Sequence, residues 1–255
     1  MVSFDRTPDT PPAFGYKVAW FAVKASDPAS VLEALELGEA VPANWASGIA
    51  AAYERGAWKE SGPWVFVSPP VDGWILAVSA SWPYAVDIEK NRDIAQKFDV
   101  LFHRLMARFD DVQFFGSHRV ADFVAWARAL NHEPIRIFSY FGGGDGVLAN
   151  FGEQTADEAR LRLADLGGLS PQDADDRIYE LAEQQDLEEY RLRKSGLSER
   201  EAHDKVRHGA RRPFPDETDS TALAALWSID PTGLTEEDHP PGLGLAVRLP
   251  SDLAQ

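Results

Sequence analysis

The sequence predicts an α+β fold: a mixed or antiparallel sheet built from two β-α-β-β-like units, with helices packed on one face and a charged helical hairpin as an excursion from it. Three observations predict it. Residues 17–80 and 111–151 each read strand, helix, strand, tight turn, strand. Between them Ile94, Phe98, Leu101, Leu105 and Phe109 recur near the 3.6-residue period of an amphipathic helix. After residue 152 apolar residues thin out and charges fall into blocks.

Residues 1–15, with Pro8, Pro11 and Pro12, read as an extended or frayed arm. The body, residues 16–152, opens with Lys17–Lys24, a run apolar enough for a strand buried on both faces. Asp27-Pro28 is an N-cap followed by proline at the first helical position, and Val31, Leu32 and Leu35 follow at helical spacing up to a stop at Gly38. Asn44–Tyr53 adds a second short helix. The apolar runs 64–68 and 74–78 flank Asp72-Gly73, a hairpin signal.

In the second unit, 112–116 is a strand and Ser117 caps a helix carrying Val120, Phe123, Val124, Ala127 and Leu130. Residues 135–140 and 147–151 are strands joined by the turn Gly142–Gly146. The two units share element order rather than residue identity, so both an internal duplication and a single sheet without duplication fit.

Residues 153–220 form a charged helical insertion. Its charge is −9 over 153–189, from 3 Arg against 12 Asp and Glu, and +5 over 191–212, from 8 Lys and Arg against 3 acidic residues. Ser170-Pro171 starts one helix, Lys194–Leu197 is a turn, and the capping box Ser198-x-x-Glu201 starts the next. Residues 221–255 return to the body through a helix around Leu223, Leu226 and Trp227 and a strand at 242–247.

The chain has 255 residues, a net charge of −16 and no cysteine. The last point excludes disulfides, thiolate metal sites and cysteine nucleophiles. The acidity disfavours nucleic acid and suits solubility or a basic protein partner. No run approaches the length of a membrane span and no signal segment is visible, so a cytoplasmic protein with no membrane partner is expected. No cofactor and no metal are expected, because the six histidines lack ligand spacing; His203 and His208 lie five apart, about 140° out of line on a helix.

The expected function is a non-enzymatic protein-binding protein, in its concrete form a bacterial immunity or inhibitor protein that neutralises a basic toxin. Its candidate contacts are Trp45 and Trp58, taken as the most exposed tryptophans, and the acidic pairs Asp175-Asp176 and Glu188-Glu189. The plain reading of those pairs is a solvated helix face, since adjacent helical carboxylates diverge by about 100°. One alternative is a small-molecule enzyme with a crevice at His118, Arg119 and Asp122, the carboxylate orienting the imidazole from one helical turn away. Another is a scaffold subunit self-associating through the 170–212 hairpin.

Overall fold

A computed structural model describes residues 3–54, 62–235 and 239–255. In chain order its strands are β1 Ala19–Lys24, β2 Ala40–Asn44, β3 Trp64–Val67, β4 Trp74–Ser79, β5 Asp111–His118, β6 Phe123–Leu130, β7 Glu133–Phe141, β8 Gly146–Phe151 and β9 Leu243–Arg248. Its helices are α1 Pro28–Leu35, α2 Trp45–Tyr53, α3 Arg92–Met106, α4 Ala156–Arg160, α5 Pro171–Lys194, α6 Glu199–Arg207 and α7 Glu217–Trp227. The strands form one antiparallel sheet in the order β2-β9-β3-β4-β1-β5-β6-β7-β8. Among the described residues no helix is long and apolar enough to cross a membrane.

Most helices start where their caps dictate. Asp27, Asn44, Asn91, Ser170 and Ser198 each accept a hydrogen bond from a first-turn amide. The β3–β4 hairpin closes on Asp72 and Gly73, both at positive φ, with Val71 and Trp74 exchanging backbone hydrogen bonds at 2.8 Å each way. That is the primed turn whose twist matches the flanking strands.

Helices cover both faces of the sheet, not one. Alternation along β1 sends Trp20 and Ala22 into a cluster with α2, α5 and α7, and sends Phe21 and Val23 into a second cluster with α1 and α3. Every residue of β4 is buried. A sheet apolar on both faces has to bury both, so a three-layer packing results.

The helix expected over Val120–Leu130 is instead β6, paired along its length with β5 and β7. The second unit is therefore a four-stranded meander with no counterpart to α1, and the common element order of the two units does not hold. The run from Phe123 to Leu130 is apolar on both faces, and periodicity alone cannot separate such a run from a buried helix. Two hydrogen-bonding neighbours decide it.

Two glycines make room for one ring. A Cβ at Gly48 on α2 would lie 2.1 Å from the Phe66 ring, and one at Gly244 on β9 would lie 2.6 Å from it. Phe66 thus sits in a slot between α2 and β9 and meets Trp45 edge-on, with ring centroids 5.4 Å apart. The N-terminal arm is extended and tied down: Asp9 accepts from the amides of Trp45 at 2.6 Å and Ala46 at 3.0 Å, and Phe14 enters the core.

Beyond β8, α5 lies against the edge strand. Ala174 and Ile178 join the core, and Asp175 accepts the Val147 amide at 3.1 Å. A helix carboxylate thereby satisfies a backbone donor of the strand at the sheet edge.

Candidate functional site

The β5–β6 turn, Arg119–Asp122, and the β7–β8 turn, Gly142–Asp145, meet at one end of the sheet. The Gly142 amide donates to Asp122 O at 3.0 Å, and a Cβ at Gly142 would meet the Asp122 Cβ at 2.9 Å. Asp122 closes its turn at φ 46°, a left-handed conformation that Asp tolerates better than most residues. Two cavities open here, on either side of the Arg119–Asp122 turn. His118 lines the one on the α3 side, and Arg119 and Asp122 line the one on the α5 and α7 side.

The helical spacing expected between His118 and Asp122 is not present, because the chain there is a strand end and a turn. His118 is the last residue of β5 and faces Phe123 across the ladder, so Asp122 is not one helical turn from it. Arg119 pairs with Glu217 at 2.9 Å and lies 5.6 Å over the Tyr16 ring. His118 thus lines one cavity, and Arg119 and Asp122 the other. Among the described residues no three His, Asp or Glu side chains are arranged to hold a metal ion.

The cavity on the α5 and α7 side has a volume of about 630 Å³ and continues along α5 into a second hollow of about 460 Å³, the two sharing Tyr179 and Phe214. Together they form a groove. Tyr140 is its buried inner ring; Phe214 stands between Tyr140 and Tyr179, at centroid distances of 6.2 and 5.6 Å. Phe214 is 40% exposed and Tyr179 53% exposed, so aromatic surface faces solvent where an apolar patch normally marks an interaction site.

The rim is acidic. Among the described residues Asp122, Glu183, Asp186, Asp216 and Glu217 line the groove against a single guanidinium, Arg119. Asp186 is shared with Arg207 at 3.5 Å and Asp216 with Arg212 at 3.4 Å, while Asp122 and Glu183 make no ion pair among the described residues. Glu217 gives one carboxylate oxygen to Arg119; its other oxygen is buried with no hydrogen-bond partner among the described residues. Burial, then the neighbouring Tyr179, Asp175 and Asp122, push the Tyr140 phenol up to about 12, so it stays a protonated donor. At the start of α7, burial raises Asp219 above the usual carboxylate range although Arg212 pairs with it and the Asp216 amide donates to it.

The contact residues expected from the sequence are scattered. Trp45 is buried in the core beneath α2, which corrects its expected exposure. It follows Asn44, the N-cap, and the first turn of α2 presses it onto the sheet. Trp58 lies outside the described residues. Asp175 is half-buried against Val147, whereas Asp176 is exposed and accepts from Gln172 at 3.1 Å. Glu188 pairs with Arg191 at 3.5 Å and Glu189 with His203 at 3.2 Å. Neighbouring acids on α5 thus point to different partners.

Of the groove residues, Arg119 and Asp122 are candidates from the sequence, and the others carry only part of a signal there. Tyr179, Glu183, Asp186 and Tyr190 follow i, i+4, i+7 and i+11, one face of a long polar helix, with Leu187 beside them. On such a helix an aromatic stripe that no second stripe covers remains at the surface. Tyr140 and Glu217 lie on distant elements and carry no local signal. Comparisons with protein-family models, with curated proteins and with solved structures give no match to this chain.

Proposed function

We propose that this chain is a non-enzymatic binding protein for a basic protein partner, the chemistry of an immunity or inhibitor protein that occludes a basic toxin. The observation that carries this reading is the groove between α5 and the start of α7, with aromatic rings for a floor and, among the described residues, five carboxylates against one guanidinium at its rim. A lysine or arginine entering the groove meets these carboxylates, and the Tyr179 and Phe214 faces attract the same cation. The chain's charge of −16 adds long-range attraction that weakens as salt rises.

A labelled nona-arginine peptide provides the probe, read by fluorescence anisotropy at low and moderate salt. The discriminating variant is Tyr179→Ala/Phe214→Ala, which keeps the net charge and removes two partly exposed rings. The expected result is salt-sensitive binding by the parent chain and at least tenfold weaker binding by the double variant. Equal affinity for the two would mean diffuse attraction to an acidic surface and would refute the groove.

A further inference from the structure

The cavity on the other side of the Arg119–Asp122 turn has a different chemistry. On the α3 face of the sheet, a row of small residues runs across six strands as successive register partners: Ser79, Ala19, Gly116, Ala125, Ser139 and Ala149. The low row lets the connection between β4 and α3 cross the sheet at close range. Ser139 Oγ donates to Ala85 O at 2.5 Å, and the Asp87 amide donates to Leu148 O at 2.8 Å. Trp82 on this connection is fully buried, with Nε1 donating to Ala77 O at 2.9 Å, and Tyr84 packs on Phe123 with centroids 4.7 Å apart. At the sheet's end, where Ala19 and Ala80 offer no bulk, the layer does not close. A cavity of about 430 Å³ remains, walled by Trp82, Tyr84, Phe123 and Phe141 and reached by His118.

We propose that this cavity is a binding site for a neutral aromatic molecule of two or three rings bearing one hydrogen-bonding group. Its volume lies in the range of small-molecule sites, roughly 300–1,000 Å³. Four aromatic walls suit offset and edge-on ring contacts. Among the described residues no Lys, Arg, Asp or Glu lines it, so little beyond the His118 imidazole repays the desolvation of an ion; the adjacent groove differs in this respect. Tyr84 and His118 supply the polar contacts that orient the ligand. The Tyr84 phenol is held above its ordinary range by burial and then by Asp145, so it is a hydrogen-bond donor throughout the neutral range.

The test uses the full chain with 2-naphthol as probe, 2-naphthoate as its charged counterpart and naphthalene as its apolar one, read by titration calorimetry and saturation-transfer NMR. The expected result is 2-naphthol bound at least tenfold more tightly than 2-naphthoate. Ala121→Trp, a substitution on the half-exposed turn at the cavity wall, is expected to reduce that binding at least tenfold while the chain stays folded. Tyr84→Phe reads the site independently of cavity filling and is expected to erase the preference for 2-naphthol over naphthalene. Failure of 2-naphthol to bind at millimolar concentration, tighter binding of 2-naphthoate, or an unchanged preference in Tyr84→Phe would overturn the proposal.

Discussion

Replacing Glu158 by Gln tests how the segment after β8 is held to the body. Arg136 on β7 and Glu158 on α4 are each 2% exposed and meet at 2.8 Å. Glu158 Oε1 also accepts from Trp126 Nε1 at 2.9 Å, and Oε2 accepts from the Thr155 amide at 2.7 Å and its hydroxyl at 2.9 Å. Arg136 Nη1 donates to Asn150 Oδ1 at 2.7 Å and to Phe151 O at 2.9 Å. The pair is fully enclosed and well bonded, so its worth lies in charge compensation: removing one partner of such a pair costs about 3–5 kcal/mol. A glutamine amide would also turn an NH₂ toward donors on one side, whichever way it flips. For a chain of this size about 4 kcal/mol corresponds to a fall in Tm of roughly 8–16 °C. Thermal and urea melts of Glu158→Gln, Arg136→Met and the double variant give the assay. The double-mutant cycle is expected to show a coupling of about 2 kcal/mol. A single variant that melts within about 2 °C of the parent, or a coupling under about 0.5 kcal/mol, would refute the claim that charge compensation holds this segment.

Absorbance titration of the phenols at alkaline pH should show one group ionising near 12 that disappears in Tyr140→Phe. Because its folded pKa lies above the unfolded value of 10.0, Tyr140 contributes stability that is complete below pH 10 and is lost as pH rises toward about 12; Tyr140→Phe should flatten that decline. Gly48→Ala should lose about 1–2 kcal/mol, since a Cβ 2.1 Å from the Phe66 ring puts overpacking in the upper part of its range, about 2–3, and the gain in helix propensity returns about 1; an unchanged melt would mean that the Phe66 slot gives way. Asp9→Ala should cost about 1 kcal/mol by uncapping α2, and protection of the Trp45 and Ala46 amides from hydrogen exchange should fall with it.

Local chemistry was legible from the chain by itself. The capping side chains Asp27, Ser170 and Ser198, the Asp72-Gly73 turn, the doubly buried β1 and the amphipathic α3 all follow from residues within one turn or one strand of each other. What the tertiary structure alone decided depends on neighbours far along the chain. Phe123–Leu130 became a strand because β5 and β7 pair with it on both sides. The C-terminal β9 entered the sheet between β2 and β3, a position no pattern within Leu243–Arg248 encodes. Trp45 went inward because α2 lies on the sheet, while Tyr179 and Phe214 stayed outward because no described element covers them. The groove joins β6, β7, α5 and the start of α7, and the aromatic-walled cavity joins β1, β5, β6 and the connection before α3. A side chain's own sequence determines its turn of helix or its alternation in a strand, whereas its surroundings are set by which elements share a sheet face, and that is a property of the whole chain.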